Sequence, residues 1–264
     1  MKFKSLIKPL IPNVFLEHYR NRQNDAEIDN FRFNGDSSYD IKSDIQNKYR
    51  HGSELLDIFS SNEEFSVHKW HHYIPLYERY FSSFRKRKIR FLEIGVDKGG
   101  SLQMWRKYFG DEAIIFGIDI NPECKKHNGV SGQVRIGSQT DKAFLKSVVE
   151  EMGGVDIVLD DGSHQMKHIP ATLKILFPHL SYSGIYMIED LHTAYWKSYG
   201  GGYRAKNNFF KFLMGLADDI HHWYHSKGLK HAAISKDCSG IHIHDSIVVL
   251  DKNKAHQPVH SKIP

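Results

Sequence analysis

VDIVLDDGSH, residues 155–164, is an apolar run that ends on Asp160 and Asp161 and continues through Gly and Ser to His164. GIYMIED, residues 184–190, repeats the plan and ends on Glu189 and Asp190. Both read as buried strands with polar residues at the carboxyl end. If they lie parallel in one sheet, Asp161, His164, Glu189 and Asp190 converge at the same edge, where ligands of open α/β sheets collect. Carboxylates beside an imidazole suit a hard cation next to a general base.

Working outward, strand and helix signals alternate. IRFLEIGV (89–96) is a strand, with a helix from Ser101 through Tyr108. AIIFGIDI and GQVRIG are strands two and three, and KAFLKSVVEEM is the next helix. VDIVLDD is strand four, followed by the helix IPATLKILFPHL and by GIYMIED as strand five. Short connections between alternating elements predict a parallel, doubly wound α/β sheet. The tail, HAAISKDCSGIHIHDSIVVLDKN (231–253), predicts an antiparallel hairpin turning at Cys-Ser-Gly. Residues 1–65 read as an N-terminal extension, partly helical, ahead of a domain over 66–264. Within the extension, NRQNDAEIDNFRFNGDSSYD reads as loop and DIQNKYRHGSELLDIFSS as a short helix.

Composition is that of an ordinary globular chain: 264 residues, 40% hydrophobic and 25% charged, enough for one large core. A net charge of +5 favours anionic ligands without being a nucleic-acid footprint, and no nucleic-acid partner is expected. Five of the six residues Arg85–Arg90 are basic and read as a solvated helix end. Cys124 and Cys238 form no metal-spaced pair, so a reducing cytoplasm is the expected compartment. No stretch is long and apolar enough to span a bilayer. The start, MKFKSLIKPLIPNVF, has no small-residue cleavage site and is not read as a signal peptide. It reads as a segment packing on its own protein or a sister subunit, which leaves a homo-oligomer open; a membrane-surface helix is the weaker alternative.

The loop after the first strand, Glu93-Ile-Gly95-Val-Asp-Lys-Gly99-Gly100-Ser101, puts glycines where backbone N–H groups can approach a nucleotide-like cofactor at a helix start. Its spacing is not G-x-G-x-x-G, so the dinucleotide fingerprint fails. Asp119 ends the second strand, where a carboxylate binds ribose hydroxyls or else caps the turn before Asn121-Pro122. Gly137-Ser138-Gln139 ends the third strand at the expected adenine edge, and Asp141 reads as a helix N-cap. Asp160 and Asp190 have a plainer reading too, as turn and helix caps.

FLEIGVDKGGSLQMW, GIDI, DDGSH and IEDLHTAYW together resemble the metal-dependent sugar O-methyltransferases of macrolide biosynthesis, the mycinamicin and macrocin type, over roughly residues 66–250. The resemblance implies a class I methyltransferase (Rossmann-like) fold, S-adenosylmethionine and Mg²⁺ as cofactors, and a sugar-containing acceptor. It implies Asp161, Glu189 and Asp190 as metal ligands and His164 as the base. Glu93, Gly95, Gly99, Ser101, Asp119, Ser138, Gln139 and Asp160 would form the cofactor site. HKWHHYIPLY resembles the segment that covers the cofactor in that family, which adds Lys69, His72 and Tyr73. Two positions depart from the pattern: His68 stands for a usual Asp, and Ser138 for a usual acidic residue. The extension looks more like those of methyltransferases encoded with surface-polysaccharide enzymes, which turns the expected acceptor toward glycans.

HTAYWKSYGGGYRAKNNF (192–209) offers aromatic faces for a sugar ring and glycines for a mobile lid, or is an ordinary surface loop. HHWYH (221–225) reads as a partly buried aromatic helix, not a metal site. Two other functions remain open: metal-dependent methylation of a phenol or small diol, and a non-catalytic binding protein on the same fold.

Overall fold

The computed structural model describes residues 40–264. The expected N-terminal membrane-surface or packing segment, and nearly all of the loop expected before residue 41, lie outside the described residues.

Apolar strands bury both faces of a seven-stranded sheet. Its strands are β1 (Arg90–Ile94), β2 (Ile114–Asp119), β3 (Gln133–Ile136), β4 (Val155–Asp160), β5 (Leu180–Ile188), β6 (Cys238–Ile243) and β7 (Val248–Lys252), in the order β3-β2-β1-β4-β5-β7-β6. The first five are parallel; β7 runs antiparallel to β5, and β6 antiparallel to β7. The period of two divides each strand between two cores. Phe91, Ile157, Leu159 and Met187 face one, while Leu92, Val158, Tyr186 and Ile188 face the other.

The first face is covered by α1 (Ile41–Tyr49), α2 (Glu54–Ser60), α3 (Tyr73–Phe81) and α4 (Gly100–Phe109). The second is covered by α5 (Lys142–Met152), α6 (His168–Leu176), α7 (Phe209–Ile220) and the short α8 (Ala232–Ser235). This is the doubly wound sheet with an antiparallel end that the alternation predicts. Asp141 caps α5 as expected, its carboxylate accepting from Ala143 N and Phe144 N. Among the described residues, no helix is long and apolar enough to cross a membrane.

Several local expectations change. The single helix expected in 44–61 is two: Arg50 turns left-handed at φ 49°, and Ser53 restarts the helix by accepting from Leu56 N at 3.2 Å. Ile45, Leu55, Leu56 and Phe59 are buried in the same core as Tyr73 and Trp105, so residues before and after 65 share one apolar cluster. The hairpin does not turn at Cys-Ser-Gly, which lies inside β6. It turns at residues 244–247, where Ser246 has φ 63° and His244 N bonds Ile247 O. A polar side chain can adopt that left-handed backbone, so the glycine was a misleading signal. HHWYH forms one 3-10 turn, His222–Tyr224, with Trp223 and Tyr224 exposed rather than buried.

Candidate active site

The glycine loop is held from below and from the side. Gly95 has φ +95°, and a Cβ there would sit 2.2 Å from the carbonyl oxygen of Asp161. Only glycine lets the loop after β1 lie against the loop after β4. Gly100 meets the carbonyl of Ser66 as closely, so the strap formed by residues 66–72 crosses the loop directly. Asp119 Oδ2 accepts from Val96 N at 2.9 Å and Asp97 N at 3.1 Å, and Oδ1 accepts from Asn121 N at 2.8 Å. Burial opposes its charge, but those backbone bonds hold the carboxyl below its ordinary range. Asp119 thus ties the loop and caps the turn while still facing the cavity.

Glu93 lies beneath the loop rather than in it. It is fully buried and accepts from the Ser101 hydroxyl at 2.8 Å and Trp105 Nε1 at 3.2 Å. Burial pushes its carboxyl up to about 7, against the pull of the Lys69 ammonium. Gln139 Oε1 accepts from Ser163 N at 2.8 Å and Nε2 donates to Thr172 Oγ1 at 3.1 Å, locking the loop after β4. Asp160 is buried and accepts from the Tyr186 hydroxyl at 3.0 Å; burial raises it to about 6. Gly95, Ser101, Asp119, Lys69 and Tyr73 line one cavity of about 290 Å³. Ser138 and Gln139 line an adjoining one of about 180 Å³, which shares Gly95, Asp119 and Gly162. Glu93, Gly99 and Asp160 lie behind these walls.

The other pole is built by the sheet register. Ile94 pairs with Asp160 and Asp160 with Ile188, and the ladder continues as Asp161 N bonds Ile94 O and Glu189 N bonds Asp160 O. One ligand atom each from Asp161, His164 and Asp190 lies within 4.8 Å of the others. His164 Nε2 stands 3.8 Å from Asp161 Oδ1 and 3.8 Å from Asp190 Oδ2. Both His164 and Asp190 have φ 53°, a left-handed backbone that non-glycine residues adopt at a cost of about 1 kcal/mol or more. Thr193 braces the pair, its hydroxyl 2.6 Å from Asp190 O and 3.5 Å from His164 O. Asp190 makes no side-chain cap to the 3-10 turn that follows it, Leu191–Tyr195.

Each aspartate keeps one oxygen toward His164 and has the other restrained. Asp161 Oδ2 accepts from Lys69 Nζ at 2.5 Å. Asp190 Oδ1 accepts from the Tyr73 hydroxyl at 2.7 Å, and Ser246 Oγ lies 2.8 Å from that same hydroxyl. Glu189 sits further back: Oε1 accepts from Tyr77 OH at 2.6 Å and Oε2 from Lys69 Nζ at 2.8 Å. Burial disfavours a charged Lys69, but Asp161, Glu189 and Glu93 outweigh it and hold the ammonium charged. Hard oxygens of Asp161 and Asp190 fit a divalent cation such as Mg²⁺. Glu189 lines the cavity without joining that compact trio.

Sequence reading missed Tyr77, Thr193 and Ser246. Tyr77 was within reach, four residues after Tyr73 on one helix face. Nothing near Ser246 in the chain points to the site. Around the pole, His192 meets Trp70 at 5.5 Å and Trp196 at 4.8 Å between ring centroids, and Tyr199 lies 6.3 Å from His164. The glycine-rich segment beyond is stitched down by Gly201 N to Trp196 O, Gly202 N to Ala194 O and Asn208 Nδ2 to both Ala194 O and Gly202 O.

The sheet order, the glycine loop after β1 and the polar residues closing β4 and β5 define a class I methyltransferase fold. Residues 92–191 match a family described as a methyltransferase domain. The chain is 37% identical over 199 residues to the 8-demethyl-8-(2-methoxy-alpha-L-rhamnosyl)-tetracenomycin-C 3'-O-methyltransferase of Streptomyces olivaceus, covering 70% of this chain and 50% of that protein. It is 31% identical over 222 residues to the mycinamicin VI 2''-O-methyltransferase of Micromonospora griseorubida, covering 77% and 54%. Among solved structures it matches the MycE methyltransferase of the mycinamycin biosynthetic pathway, in complex with Mg, SAH and mycinamycin VI. That match has a TM-score of 0.66 and 28% identity, and it covers 83% of this chain and 54% of that one. The chain is thus similar to these methyltransferases over its residues 92–191 and beyond, and it spans about half the length of the curated relatives it matches.

Proposed function

We propose that the protein transfers the methyl group of S-adenosylmethionine to a hydroxyl of a sugar, with Mg²⁺ as its metal. The observation that carries this reading is the placing of Asp161 Oδ1, His164 Nε2 and Asp190 Oδ2 on the wall of the cavity that the Gly95–Ser101 loop also lines. An aliphatic hydroxyl is a poor nucleophile and must lose its proton during attack. A bound divalent ion supplies positive charge that makes such a hydroxyl more acidic. Asp161 and Asp190 would hold that ion, with Glu189 behind them. His164 takes the hydroxyl proton as the oxygen attacks the sulfonium methyl; a C–O bond forms, the C–S bond breaks, and S-adenosylhomocysteine leaves. Lys69, Tyr73 and Thr193 keep the two aspartates and the imidazole aimed.

The names of the relatives support a sugar acceptor, and the similar structure bound with Mg and SAH supports the cofactors. We place the acceptor among glycans, as in polysaccharide biosynthesis, and the enzyme in the cytoplasm, consistent with two buried free cysteines.

The test is transfer from labelled S-adenosylmethionine to a panel of nucleotide sugars, sugar phosphates, glycosides and catechol, with Mg²⁺ or EDTA. Label should enter a sugar only with Mg²⁺, and His164→Ala should lower the rate about 100-fold or more. Equal transfer under EDTA would remove the metal. Label entering catechol alone, with His164→Ala still active, would replace the sugar by a phenol.

A further inference from the structure

Beside the active site lies a second concavity, a groove of about 780 Å³ between the starts of α6, α7 and α8. It lies next to the catalytic pole: Gln165, which lines it, follows His164, and Tyr199, which also lines it, stands 6.3 Å from the His164 ring. Lys167, Lys206, Lys211, Lys230 and His231 line it, and no acidic residue does. The four lysines are exposed, and among the described residues none of them forms an ion pair with a carboxylate. The acid nearest the α8 end, Asp219, is buried. It spends its oxygens on Lys230 N at 2.8 Å, His231 N and Ser235 Oγ at 2.9 Å, so it makes no ion pair with the four ammonium groups, and its charge acts on His231.

Four ammonium groups without an ion-pair partner around one concavity, against one buried carboxylate beside it, form a positive field that favours a compact polyanion. A sugar held at His164 and extending past Gln165 and Tyr199 would bring whatever it is attached to into this groove.

We propose that the groove binds the phosphate group of the acceptor, so that the sugar is methylated while it carries a phosphate or diphosphate ester. This rests on the sugar-methyltransferase reading for the sugar but not for the anion. A nucleoside diphosphate sugar and a phosphorylated sugar share the chemistry, and both are compatible with the groove.

Binding of inorganic pyrophosphate, UDP-glucose and glucose 1-phosphate to the full chain, measured by calorimetry at low and at physiological salt, tests it. Lys206→Glu/Lys211→Glu and Lys167→Glu/Lys230→Glu are the variants, and SAH affinity is the folding control. Pyrophosphate should bind the wild type and weaken with salt, and each double variant should lose about 10-fold or more in affinity, with SAH affinity unchanged. Tighter binding of UDP-glucose than of glucose 1-phosphate would mark a nucleotide sugar; equal binding would mark a sugar phosphate. No pyrophosphate binding by the wild type, or equal binding by wild type and variants, would overturn the proposal. Pyrophosphate bound in the groove with no sugar methylated by any arm of the transfer assay would fault the sugar reading alone.

Discussion

The two halves of the cavity are held in opposite ways. On the side proposed for the cofactor, at the ends of β1 to β3, polar side chains are tied mostly to backbone within about two dozen residues in the chain. Asp119 is held by Val96, Asp97 and Asn121 N–H groups, and Ser101 and Trp105 hold Glu93 from the next helix. On the side proposed for the metal, after β4 and β5, the restraints come from far off. Lys69, Tyr73 and Tyr77 arrive from the strap and α3, and Ser246 from the hairpin turn. The first half is a loop whose polar groups are held mostly from nearby, with the strap at Ser66 and the loop after β4 resting on its glycines. The second is a junction of three remote segments, so its geometry depends on the whole domain being folded.

Removing Lys69 tests that junction hardest. Its ammonium is the cation between Asp161 and Glu189 and is almost fully buried. Lys69→Met leaves a buried Glu189 without its cation, a change that costs about 3–5 kcal/mol in comparable pairs. We expect a fall of about 4 kcal/mol in urea denaturation at pH 7, and recovery of half or more in Lys69→Met/Glu189→Gln. A loss below about 1 kcal/mol would mean that the strap merely rests on the metal side.

Glu93 probes the border between the halves, since it belongs to the loop but feels Lys69. A carboxyl raised from 4.5 to about 7 holds its proton more tightly folded than unfolded. Its contribution is therefore complete below about pH 4.5 and lost as pH climbs through about 7. Glu93→Gln keeps acceptor and donor positions for Trp105 and Ser101 and should erase this slope. The variant should gain up to about 3 kcal/mol over wild type at pH 8 relative to pH 4.5. Parallel pH profiles in chemical denaturation would show that Lys69 keeps Glu93 ionised throughout.

This division also explains what could be read from the sequence. The glycine loop, the strand ends and the Asp141 cap are local patterns, and residues a few positions apart announce them. Asp161, His164 and Asp190 were legible because strand register turns two short motifs into neighbours. The backbone at His164 and Asp190 was not, because a left-handed φ at a non-glycine residue has no composition signal. Tyr77 and Ser246 carry no motif, and only packing of α3 and the hairpin turn brings them in. The turn itself was misplaced because Cys-Ser-Gly looked like a better turn than His-Asp-Ser-Ile. The sequence marks Lys69 only as a cofactor contact, because its pairing with two carboxylates depends on contacts 92 and 120 residues distant.

The smallest expected effect bears most directly on the cofactor side. If Asp119 is a loop cap and a cofactor contact at once, Asp119→Asn should show both roles separately. The charged acceptor for two loop N–H groups becomes a neutral amide, which should cost about 1–2 kcal/mol of stability. A carboxylate that also meets ribose hydroxyls should in addition lower SAH affinity about 10-fold, or about 1.4 kcal/mol. Calorimetric titration with SAH, run well below the unfolding midpoint, separates the two. Unchanged SAH affinity with lowered stability would leave Asp119 as a cap alone. Lowered affinity beyond the lost stability would mean that the locally built half of the cavity is shaped for ligand as well as for itself, so that local legibility and function coincide there.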